Sequence, residues 1–264
     1  MKITIRRTVK WILWGLATVS VAFGLYLSLF FFPYPLFPHH AEVARFSVWS
    51  DREIPDDFEL VLDDARRRVD NMELFVGGSN LRIFVCHSRR LFVVLNRLAG
   101  KRFAGQALVI SAAGNAFFSV PGIEAVRLRN GNRIPHSRLE GSWPAAIAHE
   151  VAHGLVVAEL GGRLARRVPT WKSEGYADYT ASLLPAVSDP DYDFRSRVGW
   201  VLDDTLWRGS VGPVDRRHFR WHLLVEYLCS VEGLSFHQLL ADTVTEQTAW
   251  AGMIAWYSSG ESPG

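Results

Sequence analysis

The run Ala148-His149-Glu150-Val151-Ala152-His153-Gly154 holds two histidines and a glutamate in the spacing HExxH. On a helix, two histidines four residues apart lie on one face with Cβ atoms about 5–6 Å apart, so both imidazoles reach a single ion. Glu150 is turned by about 100° from His149. That sets its carboxylate beside the ion's open position, where it takes a proton from zinc-bound water rather than ligating the metal. Ile147, Val151, Ala152, Leu155 and Val156 supply the apolar stripe that fixes such a helix against a core. One helix further on, Pro169-Thr170-Trp171-Lys172-Ser173-Glu174-Gly175-Tyr176-Ala177-Asp178-Tyr179 offers Glu174 as a third ligand. His149, His153 and Glu174 then form a His₂Glu set for one zinc ion, with a fourth position left open for hydrolytic chemistry. Asp178, one turn beyond Glu174, is expected to accept the second N–H of His149 and so to fix the tautomer that binds metal.

HExxH followed by Trp171-x-x-Glu174-Gly175-x-Ala177-Asp178-Tyr179 resembles the gluzincin zinc metallopeptidases, the thermolysin-like and aminopeptidase-like superfamily, over residues 143–185. The resemblance implies a peptidase with zinc ligands His149, His153 and Glu174, general base Glu150 and supporting Asp178, acting on a peptide or protein substrate. More loosely, Phe219–Leu228 and Gly233 resemble the helix that crosses below the site in that superfamily. On that alignment His218 stands where many relatives carry a tyrosine that steadies the oxyanion. Tyr176, Tyr179 and His222 are the other donors near in sequence. Asn115-Ala116-Phe117-Phe118 resembles the edge strand to which such enzymes add a substrate backbone; an ordinary buried strand explains the same residues. No Gly-x-Met-Glu-Asn segment is present, which counts against the aminopeptidase branch.

The elements that must hold these residues follow an α+β order. Pro55 to Met72 is an amphipathic helix by period, Leu81 to Cys86 a strand, and Ser88 to Leu98 a short helix stopped at Gly100. Strands are expected at Ala107–Ser111, Ala116–Val120 and Ile123–Leu128, the last ended by an Asn130-Gly131 turn. From Ser142 the signals are helical. Gly161-Gly162 stops the HExxH helix, Thr170 opens the next, and a third runs from Val214 to Ser230. Ser235-x-x-Gln238 and Thr243-x-x-Glu246 are capping boxes that open two more. The expectation is a small mixed sheet followed by a mostly helical half that completes a gluzincin-like catalytic domain.

The N-terminus has a different character. Trp11 to Phe32 carries no charged side chain and as a helix is about 33 Å long, enough to cross a bilayer. Lys2, Arg6, Arg7 and Lys10 precede it, and no basic residue follows until Arg45. That asymmetry places residues 1–10 in the cytoplasm and the catalytic domain outside. Residues 11–32 are read as a transmembrane anchor contacting the lipid bilayer, 33–53 as a linker containing Pro33, Pro35 and Pro38, and 54–264 as the metallopeptidase-like domain. Ser20-Val21-Ala22 offers a rival signal-peptide site, but the apolar run continues well past it. Ser20, Gly24 and Ser28 form a small-residue stripe on which two anchors can pack, and the sequence leaves the oligomeric state open.

Composition bounds the rest. With 264 residues, 48% hydrophobic content and 21% charged residues, the chain is neither a disordered polymer nor a disulfide scaffold. A net charge of +2 gives no global field for nucleic acid. Cys86 and Cys229 lack metal-binding spacing and read as buried thiols in a strand and a helix. Arg163, Arg166, Arg167 and Lys172 flank the loop between the two motifs and read as a solvated face. The rival to the peptidase is a zinc-binding domain without activity, used for binding or assembly.

Overall fold

The computed structural model describes residues 2–43, 46–55, 58–74, 82–101, 107–110, 114–120, 143–188, 192–210 and 216–260. In chain order these form α1 (Lys2–Phe31), a 3₁₀ turn (Tyr34–Leu36), β1 (His39–Val43), β2 (Phe46–Ser50), α2 (Phe58–Asp70), β3 (Arg82–Cys86), α3 (Arg89–Leu98), β4 (Ala107–Ile110) and β5 (Asn115–Ser119). Helices follow: α4 (Trp143–Leu160), α5 (Gly162–Ala165), α6 (Thr170–Ser188), α7 (Phe194–Leu202), α8 (Asp204–Ser210) and α9 (Arg216–Glu226). The last of these continues as a π-helix through Val231, before α10 (Phe236–Leu239) and α11 (Glu246–Ser259). The architecture is α+β and mostly helical, with one small mixed sheet.

The sheet order is β1-β2-β3-β5-β4. β2, β3 and β5 run parallel, and β1 and β4 are antiparallel to their neighbours. Alternation along the strands decides what covers each face. Ile83, Val85, Ala116 and Phe118 point to one side, where α2 packs Leu62, Ala65 and Val69 and α4 packs Ile147, Ala148, Val151 and Ala152. Phe84, Cys86 and Phe117 point to the other, where they meet Phe92 and Leu95 of α3 together with Phe30 and Phe37. A second core joins α6 to α7, α9 and α11 through Trp171, Val198, Phe219, Leu223, Leu224, Met253 and Trp256.

Several expectations are corrected. Residues 33–53 are not a linker throughout, because β1 and β2 lie within them. The prolines are confined to the stretch before β1, while Phe46, Val48 and Ser50 alternate into the interior with the period of a strand. The Asn115 strand is not an edge. β5 is flanked by β3 and β4 and all five of its residues are buried, so among the described residues the edges are β1 and β4. The final capping box sits two residues later than expected: Thr245 caps α11 and Thr248 returns the bond, because Thr248 rather than Glu246 occupies the third helical position. The Ser235–Gln238 box is present, and Ser88 caps α3. The expected strand at 123–128, the 130–131 turn and the Ser142 cap lie outside the described residues.

Within α1, Lys10–Phe31 has a mean hydropathy of 1.8 and is long and apolar enough to span a membrane; of its residues Phe30, near the end, is buried. Its last turn docks on the sheet, where the Asn115 side-chain amide donates to the Phe30 carbonyl at 2.5 Å. Cys86 is buried in β3 and Cys229 is partly buried in the π-helical stretch; both are free thiols. Burial pushes both thiols up, that of Cys229 to about 12.

Candidate metal centre

α4 and α6 build the site between them. α4 is held by its apolar face on the sheet and ends where Gly161 adopts a left-handed φ of 75°, a conformation that suits glycine. The short α5 reverses the chain, and α6 returns alongside α4. This hairpin brings His149, His153 and Glu174 together.

Their ligating atoms form a nearly equilateral triangle. His149 Nε2 lies 3.1 Å from His153 Nε2, and Glu174 Oε2 lies 3.4 and 3.5 Å from the two nitrogens. An ion bound tetrahedrally at about 2.0–2.1 Å needs ligand atoms about 3.3–3.4 Å apart. An octahedral ion at the same bond length needs about 2.9–3.0 Å. The two distances to Glu174 match the tetrahedral spacing, the 3.1 Å between the histidines falls between the two spacings, and an N,N,O donor set is one that a tetrahedral ion accepts. The side chains are 20%, 21% and 27% exposed, so the centre is open in part to solvent.

The back of each imidazole is also held. His149 Nδ1 lies 2.7 Å from Asp178 Oδ1, the contact expected from the sequence. A carboxylate there accepts a hydrogen bond from Nδ1–H and leaves the Nε2 lone pair facing the centre. His153 Nδ1 lies 3.3 Å from the Ser173 hydroxyl, a partner the sequence reading missed although Ser173 directly precedes Glu174. Two imidazole lone pairs and a carboxylate converging this closely repel one another unless a cation sits among them. The electrostatics agree. Burial alone would lower the pKa of His149, but the charge and hydrogen bond of Asp178, the bond to Glu174 and the charge of Glu150 outweigh it and hold it well above the usual value. Burial would raise Glu174, yet hydrogen bonds from both histidines hold it well below the carboxylate range. The cluster is built to hold positive charge.

Glu150 is half-buried on α4 and makes no hydrogen bond or ion pair with any described residue. His218 stands on α9. Its ring lies 5.0 Å from that of Trp221 on α9, and neither a hydrogen bond nor a ring contact joins it to His149, His153 or Glu174. The other donors are also engaged elsewhere. His222 is buried and pairs with Glu226 at 3.3 Å, in a network with Arg197 and Tyr192. Tyr179 bonds Ser230, and Tyr176 packs its ring 4.6 Å from Phe236 with its hydroxyl buried. Lys172 is not a solvated loop residue: it is buried on α6 and donates to the Ala241 carbonyl at 2.9 Å.

Gly175 explains the residue after Glu174. A Cβ there would lie 2.5 Å from the Trp221 carbonyl oxygen and 2.8 Å from Val225 Cγ2, so glycine lets α9 cross α6 at the ligand's own position. Gly175→Ala gains about 1 kcal/mol of helix propensity but forces backbone apart at a cost of about 1–3 kcal/mol. The expected result is a net loss of up to about 2 kcal/mol in denaturant unfolding, accompanied by weaker metal binding as Glu174 shifts. A variant stabilised by about 1 kcal/mol, the propensity gain alone, would show that the two helices do not meet there.

A scan against protein-family models finds no match, and none is found among curated proteins.

Proposed function

We propose that this chain is a membrane-anchored, zinc-dependent peptidase with its catalytic domain on the extracytoplasmic side. The observation that carries the reading is the triangle of His149, His153 and Glu174, backed by Asp178 and Ser173 and flanked by Glu150. A zinc ion held by those three ligands supplies Lewis acidity toward a carbonyl oxygen and makes water acidic near neutral pH. The protein's own part is proton movement. Glu150 accepts a proton from the attacking water and delivers it to the nitrogen of the departing amine. Among the described residues β4 is at the edge of the sheet and lies beside α4, a place that suits an extended peptide added as a further strand, the role the sequence had suggested for Asn115–Phe118. The lone-run length of α1 and the basic residues before it support the anchor and its orientation.

A second reading, a zinc-holding domain that binds without hydrolysing, is favoured by one observation. Two of the four candidate oxyanion donors are committed elsewhere: His222 pairs with Glu226 and Tyr179 bonds Ser230. Hydrolysis of a mixed peptide library by the detergent-solubilised full chain separates the two. The peptidase reading expects cleavage that stops with a chelator and returns with zinc. A zinc-loaded chain that cleaves nothing supports the binding reading.

A further inference from the structure

α3 carries an exposed stripe: Arg90, Val94, Arg97 and Leu98 recur at helical spacing along one side, Lys101 follows just past the helix end, and all are exposed among the described residues. Val94 is 51% and Leu98 38% exposed, although the opposite side of the helix buries Phe92 and Leu95 against the sheet. Arg90, Arg97 and Lys101 make no ion pair with a described residue.

The position of the helix says what the stripe meets. The Tyr26 hydroxyl of α1 donates to the Leu98 carbonyl at 2.9 Å. Tyr26 stands five residues before the end of α1 at Phe31, about 7.5 Å along the helix toward its middle. If α1 spans the bilayer, the C-terminal end of α3 is held below the level at which the anchor leaves the membrane. That depth matches the 5–10 Å to which interfacial amphipathic helices sink, and long basic side chains there reach back to the headgroups.

We infer that α3 is an interfacial helix, with Val94 and Leu98 in the acyl boundary of the outer leaflet and Arg90, Arg97 and Lys101 on anionic lipid headgroups. This rests on reading α1 as a membrane span. Together, α1 and α3 seat one face of the sheet on the bilayer, while the metal centre on α4 and α6 lies on the side of the other face. Each basic residue contributes attraction to an anionic surface that falls off within a Debye length.

The test uses the full chain in vesicles with equal phosphatidylcholine and phosphatidylglycerol. A fluorophore is attached through Val94→Cys, Leu16→Cys on α1, or Leu60→Cys, which is 74% exposed on α2 at the sheet's other face. Wild type treated in parallel supplies the blank. Brominated acyl chains are expected to quench the label at Leu16 and at Val94, the latter at least about threefold more than at Leu60. Arg90→Glu/Arg97→Glu is expected to abolish most of the Val94 quenching and leave Leu16 unchanged. Lipid quenching at Leu16 with Val94 as open to aqueous iodide as Leu60 overturns the inference and spares the anchor. No lipid quenching at Leu16 overturns both. Quenching at Val94 that survives the charge reversal overturns the assignment of anionic headgroups.

Discussion

Glu174→Ala is expected to weaken zinc binding by more than about 100-fold, beyond the 10–100-fold typical when a partner behind a ligand is lost. Glu174 is the one anionic member of the triangle, and its oxygen sits 3.4 and 3.5 Å from the two histidine nitrogens. Alanine leaves two imidazoles to hold the ion unaided. Each 100-fold in affinity removes about 2.7 kcal/mol of the stability that saturating metal confers on the folded state. Thermal unfolding with and without zinc reads this directly: wild type gains stability from the metal, and Glu174→Ala gains little. Asp178→Asn serves as the comparison. An amide keeps the shape but accepts the His149 proton more weakly, so affinity falls by about 10–100-fold and the metal-derived gain is only partly lost. A Glu174→Ala variant that binds zinc as tightly as Asp178→Asn would show that the third ligand is another residue.

The metal-ligand half of the candidate site was legible because its chemistry is local. Four-residue spacing places His149 and His153 on one turn, and Asp178 one turn past Glu174 falls on the same side of its helix. Packing could not be read so directly. Ser173 backs His153 only because the hairpin through Gly161 sets α6 alongside α4 at one register, which no spacing within either helix encodes. His218 was placed by a looser likeness, and its ring packs 5.0 Å from that of Trp221 on α9. In the sheet, the strand period was visible at Ile83–Cys86 and Asn115–Phe118, but strand order is a tertiary property. β5 became interior because both of its faces and both of its edges are covered, a fact that a run of apolar residues does not distinguish from an edge. The prolines after α1 suggested a spacer. They mark instead a tight turn that docks the helix end onto Phe84 and Phe117, with Phe37 buried between them.

Glu150→Gln tests the central claim most directly, because it separates holding a metal from using it. Gln keeps the size of the side chain and its place on α4, and it touches none of His149, His153 or Glu174. Zinc affinity is therefore expected to stay close to wild type. What Gln cannot do is take a proton from water and pass it to the leaving amine. Loss of a positioned general base is expected to slow hydrolysis by about 10²–10⁴-fold, read as a fall in kcat/KM with kcat carrying most of it. The measurement is cleavage of the same peptide by zinc-loaded wild type and zinc-loaded Glu150→Gln, with bound zinc quantified in both. Equal zinc with at least about 100-fold slower cleavage by the variant is the predicted result. Equal zinc with equal cleavage would contradict the account.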